Sequence, residues 1–228
     1  MRLRHRAGAA VSLTFDNLGE VTALERGEWP DDAPLGRHWS VTRALPRILD
    51  ALAESGIEAT FFVEGLNAEL YPDTLRELAA AGHEVGLHGW RHEPWGELDP
   101  ERERELLERG VERFGALGLR PVSFRPPGGD LTPATLGLLR ELGFEYCSPA
   151  GDAVEERDGI TVIPFHWPLV DAWYYLLSFA GPPEPAALRA AVMEALDGGG
   201  HTTLIFHPFL TDTEERFAVL RDVLERIR

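Results

Sequence analysis

The chain has 228 residues, enough for one large α/β domain but short for two. Its formal charge is −16, and its 22 basic side chains are all Arg with no Lys, which excludes Schiff-base lysine chemistry and a P-loop lysine. That acidity disfavours nucleic acid and anionic membrane surfaces as partners, and the single Cys147 excludes a disulfide scaffold or a cysteine-rich zinc knot.

The basic start, Met1 to Arg6, leads into an apolar stretch that Asp16 and Asn17 soon break, so it reads as neither a signal peptide nor an anchor. No later run approaches the roughly 18 to 20 apolar residues of a membrane span. The nearest is Trp173 to Ala180, and the expectation is a soluble, cytoplasmic protein. Seven runs rich in β-branched and aromatic residues predict strands at about 9–16, 57–63, 84–88, 121–125, 144–148, 160–166 and 201–207. Most are apolar on both faces, as buried parallel strands are.

Amphipathic helices are predicted between them. Leu45, Ile48, Leu49 and Leu52 make one apolar stripe, ended by Gly56. Gly82 ends a second helix carrying Leu75 and Leu78, Gly118 a third opened by Asp99-Pro100, and Gly143 a fourth opened by Thr132-Pro133. Two more are expected around Pro185 to Leu196 and Thr213 to Ile227, and loops around 18–39 and 167–185. The alternation predicts a single α/β domain over 1–228, a distorted (β/α)7-type barrel. The barrel is preferred to an open sheet because Asp16, His88, Arg125, His166 and His207 each end a strand and would meet on one rim.

Those strand ends carry the candidate chemistry. His88 and His92, four apart and so about one helical turn from each other, can grip one metal ion; the alternative is two unrelated His, at a strand end and in the turn after it. Asp16 near an Arg can act as a general base toward water, or cap a turn. Arg125, ending an apolar strand before Pro126-Pro127, suits a bidentate grip on a carboxylate. His207 before Pro208 suits proton donation to a leaving amine, with Asp171 the carboxylate that raises its pKa. Glu64 ends a strand without an assigned role, His166 reads as a rim or packed residue, and His5, His38, His83 and His201 as structural or exposed.

Six segments together resemble the polysaccharide deacetylases, the NodB homology domain of carbohydrate esterase family 4: TFDN at 14–17, ATFFVEG at 59–65, AAAGHEVGLHGWRH at 79–92, FRPPG at 124–128, the Asp171 segment, and LIFHP at 204–208. The resemblance implies metal-assisted hydrolysis of an acetamide on a small-molecule or saccharide substrate, with a divalent metal, zinc, as cofactor. By the same analogy Asp16 is the base, Arg125 its tether, His88 and His92 are metal ligands, His207 is the acid and Asp171 its tuning partner. The sequence departs from the pattern where a second Asp usually binds the metal: here Asn17 stands, a neutral ligand, with Glu20 as a possible substitute from the loop. Gly89 replaces the usual Ser or Thr. The His-Pro ending and the aromatic Asp171 segment look closer to the branch with intracellular deacetylases and metal-independent allantoinases. That leaves a ring-opening hydrolase of a cyclic amide or ureide, or a non-catalytic binding homologue, as alternatives.

Overall fold

The computed structural model describes residues 4–6, 9–176 and 185–228; part of the apolar run 173–180 and of the loop 167–185 lies outside the described residues. The chain runs β1 (Arg4–Arg6), β2 (Ala9–Asp16), α1 (Val21–Glu25), a π-helical turn (Ser40–Ala44) leading into α2 (Leu45–Ser55), then β3 (Thr60–Val63), α3 (Asn67–Leu70) and α4 (Pro72–Ala80). It continues with β4 (Glu84–Leu87), α5 (Pro100–Ala116), β5 (Ser123–Phe124), α6 (Thr135–Glu141), β6 (Tyr146–Cys147), β7 (Glu155–Arg157) and β8 (Ile160–Val162). The last elements are α7 (Asp171–Tyr175), α8 (Pro185–Gly198), β9 (Gly200–Phe206) and α9 (Glu214–Ile227).

The expected parallel strands are present in the order β9, β2, β3, β4, β5, β6, β8. Two additions were not expected: β1 runs antiparallel on the first residues of β2, and β7 antiparallel on β8. The sheet curls into a barrel whose seam is slight. A lone parallel bridge joins Val170 to Ile205, and Thr203 Oγ1 donates to the Pro164 carbonyl at 2.8 Å. Among the described residues no helix is long and apolar enough to cross a membrane.

The helices form where apolar spacing and caps agree. Leu45, Ile48 and Leu52 are buried on α2, which stops at Gly56 in the left-handed region, φ 61°. The Asp99 carboxylate caps α5 by accepting from Arg102 N at 2.9 Å, and Thr213 caps α9 by accepting from Arg216 N at 3.2 Å. Each fully buried Leu or Phe on these faces contributes roughly 1.5–3 kcal/mol. The fourth helix begins later than Thr132-Pro133 suggests, at Thr135, because the Thr132 hydroxyl accepts from Ala134 N in a local turn first. The stretches 18–39 and 167–185 are not wholly loops, since they contain α1 and α7.

Candidate active site

Strand register decides which side chains meet. Phe15 pairs with Phe206, so Asp16 and His207, the next residues on each strand, are neighbours on the rim. Leu87 pairs with Phe124, which sets His88 beside Arg125. All four, with Asn17 and His92, line one cavity of about 470 Å³ whose lining also includes Phe165, Trp167 and Phe209.

Arg125 is fully buried and organises the polar side. Its Nη1 donates to Asp16 Oδ1 and to Thr14 Oγ1, both at 2.7 Å, and its Nη2 to Ser148 Oγ at 2.9 Å. The grip on Asp16 is therefore single rather than the bidentate fork expected, because Ser148 and Thr14 take the other donors. Asp16 is 5% and Arg125 1% exposed at the side chain, so the pair is a desolvated one. Burial lowers the Arg125 pKa from its ordinary value, and Asp16 pulls it back.

His207 and Asp171 form the second wired pair. Asp171, the first residue of α7, is fully buried; its Oδ1 takes His207 Nδ1 at 2.5 Å and its Oδ2 takes His207 N–H at 2.8 Å. This leaves Nε2 as the ring atom available to the cavity. Burial opposes charge on His207, but the Asp171 carboxylate outweighs it, and the net pKa is raised.

His88 and His92 meet by a turn and not on a helix. His88 follows β4, Gly89 takes φ 68° and His92 φ 70°, and the two rings lie 5.1 Å apart. The Glu93 carboxylate holds this turn by accepting from Trp90 N at 2.9 Å and Arg91 N at 3.0 Å. A Cβ at Gly89 would stand 2.9 Å from Glu93 Oε2 and 3.0 Å from Pro127 Cγ, so Ser or Thr here would require Glu93 and Pro127 to shift. His88 Nδ1 is engaged by the Arg125 carbonyl at 2.8 Å, so Nε2 is left for a ligand. Burial first, then neighbouring positive groups, push His88 and His92 each down to about 3, so both are neutral imidazoles, the form a metal needs.

Asn17, in the left-handed region at φ 60°, gives its Nδ2 to Thr22 Oγ1 at 2.8 Å, while its Oδ1 is buried with no hydrogen-bond partner. An orphaned carbonyl on a residue that lines the same cavity as two neutral imidazoles fits a divalent cation. Among the described residues no group of three His, Cys, Asp or Glu is placed to hold a metal. Glu20 does not substitute for Asn17: its buried carboxylate takes the Tyr71 hydroxyl and Gly36 N–H and pins the 26–40 loop.

The other residues fall as follows. Glu64 is fully buried, accepting from Leu18 N at 3.3 Å, Asn67 Nδ2 at 2.9 Å and Thr22 Oγ1 at 3.2 Å, and burial pushes its carboxyl up to about 8. His166 is half exposed, 3.7 Å from Asp152, and is no part of the cavity. His83 and His201 are structural, bonded to Ala59 N and Ser12 Oγ. The His5 side chain lies outside the described residues. His38 lines the cavity instead of being merely structural, as do Thr22 and Arg26; nothing in the sequence marks these three. Cys147 is buried and pushed up to about 12, an inert thiol.

A family model for polysaccharide deacetylases matches residues 5–147. The chain belongs to the polysaccharide deacetylase family. Among relatives, a peptidoglycan-N-acetylglucosamine deacetylase of Bacillus cereus is 31% identical over 111 residues, 48% of this deacetylase-family chain and 40% of its own length. The chain spans less than half the length of the first such curated relatives. A crystal structure from Mycobacterium smegmatis, described as a polysaccharide deacetylase, superposes with TM-score 0.80 at 30% identity over 97% of this chain and 85% of that one. The PuuE allantoinase superposes with TM-score 0.78 at 21% identity over 94% and 82%, a likeness of fold.

Proposed function

We propose that the cavity hydrolyses an acetamide, releasing acetate from an N-acetylated sugar. The observation that carries this reading is the meeting, on one rim, of a carboxylate tethered by Arg125 and an imidazole bonded to Asp171. Asp16 takes the proton of the attacking water. His207, whose pKa Asp171 raises, gives a proton from Nε2 to the departing nitrogen. Arg125 fixes Asp16, and the aromatic wall of Phe165 and Trp167 orders the substrate against the rim. His88 Nε2, His92 and Asn17 Oδ1 would hold a divalent metal, for which zinc is our proposal. Such a cation, when bound, polarises the amide carbonyl and stabilises charge on its oxygen.

The relatives named for peptidoglycan and chitin deacetylation support N-acetylglucosamine polymers as the first substrates to try. The test is acetate release from N-acetylglucosamine oligomers by metal-stripped protein with and without added zinc. Release that depends on zinc supports the reading. Asn17 favours one alternative, ring-opening of a cyclic amide or ureide without a metal, since a neutral amide holds a cation less firmly than a carboxylate. Full turnover of such a ring by stripped protein, with no acetate from the sugars, would select that alternative.

A further inference from the structure

The chain contains two Asn, Asn17 and Asn67, and no Gln, so these are its only side-chain amides. Both belong to one buried network. Asn17 Nδ2 donates to Thr22 Oγ1 at 2.8 Å, and Thr22 Oγ1 donates to Glu64 Oε1 at 3.2 Å. The other carboxylate oxygen, Oε2, is taken by Leu18 N–H at 3.3 Å and by Asn67 Nδ2 at 2.9 Å. Asn67 is itself held by the Leu18 carbonyl at 3.0 Å. Glu64 and Asn67 are fully buried and Asn17 is 5% exposed.

An amide has two nearly identical faces, and only its partners decide which way it points. Here the hydrogen bonds run one way, from Asn17 through Thr22 to Glu64. A hydroxyl that spends its proton on a carboxylate can offer Asn17 only a lone pair, so Nδ2 must face Thr22. Oδ1 must then face away, where it is buried and unpartnered. We propose that Thr22 and Glu64 are positioning residues that fix the Asn17 amide with its carbonyl oxygen toward the cavity, making it a metal ligand. Glu64→Gln puts a donor opposite Thr22 Oγ1 and would reverse the chain, turning Asn17 Nδ2 toward the cavity.

This inference rests on the metal reading above, and its test separates the two. Zinc is titrated calorimetrically at pH 8.5, above the Glu64 value of about 8, into metal-stripped wild type and the variants Thr22→Val, Thr22→Ser, Glu64→Gln and Asn17→Ala. Side-chain NH₂ signals are followed by ¹H–¹⁵N NMR, where the wild type gives only two pairs and Asn17→Ala identifies one. Thr22→Val and Glu64→Gln should weaken zinc about 10- to 100-fold, the usual range for a partner behind a ligand, and Thr22→Ser should stay close to wild type. The Asn17 NH₂ pair should shift in Thr22→Val before any metal is added. Wild-type affinity in both Thr22→Val and Glu64→Gln, with Asn17→Ala weakened, would overturn the positioning role and leave the metal reading standing. An Asn17 pair unmoved by Thr22→Val overturns it without reference to metal. No zinc bound by the wild type overturns the metal reading and this inference with it.

Discussion

Replacing Glu64 by Gln separates the energetic burden of this buried carboxyl from its use. The side chain is wholly enclosed, and burial carries its pKa from an ordinary 4.5 to about 8. A folded pKa raised above the unfolded one means a stability contribution that is fully present below pH 4.5 and is lost as pH rises through 8. At about 1.4 kcal/mol per pH unit the full loss is roughly 5 kcal/mol, of which roughly 4 kcal/mol falls between about pH 5 and 8.5. Gln copies the neutral acid: its oxygen meets Leu18 N–H and Asn67 Nδ2, and its amide donates to Thr22 Oγ1. Urea unfolding of metal-free wild type and Glu64→Gln at both pH values gives the comparison. The two should be close in stability near pH 5, and the variant should be the more stable by several kcal/mol near pH 8.5. Equal loss in both proteins between the two pH values would refute the argument that burial of Glu64 dominates.

Asp171→Asn removes the charge that raises His207 and a charge-assisted hydrogen bond worth about 1.5–3 kcal/mol. The alkaline limb of the kcat profile should move to lower pH and kcat should fall about 10²- to 10⁴-fold, read as rate against pH; an unmoved limb counts against His207 as the acid. Because the folded His207 pKa is raised, its stabilising contact is complete below about 6.5 and fades as pH climbs through the raised value. Asp171→Asn should therefore cost more stability at pH 6 than at pH 9. Arg125→Met leaves Asp16 buried without its cation and should lower unfolding free energy by about 3–5 kcal/mol in urea titration, more than a surface Arg change such as Arg76→Met.

Strands are legible in the sequence where burial on both faces writes a continuous apolar run, as in β2 and β9. β1 and β7 escape because they are edge additions built from Arg4–Arg6 and the exposed Glu155–Arg157, with no apolar pattern. β5 and β6 are only two residues each, shorter than their apolar runs, although backbone bonds such as Arg125 N to Leu87 O and Ser148 N to Phe124 O continue beside them. The rim residues were readable as polar interruptions at the ends of apolar strands, and the guess that Asp171 reaches His207 matches the geometry although 35 residues separate them. How His88 meets His92 was not readable, since it depends on two left-handed backbone positions and the Glu93 clasp. Thr22, Arg26 and His38 look like any loop residues until the cavity forms around them.

The central claim, amide hydrolysis by Asp16 and His207, is tested most directly by mass-spectrometric acetate release from N-acetylglucosamine oligomers. Wild type is compared with Asp16→Ala and His207→Ala at equal zinc and equal folded fraction. We expect release by the wild type and a loss of about 10²-fold or more in each variant. Turnover that survives both substitutions, or thermal stabilisation by the oligomer with no acetate formed, would contradict it.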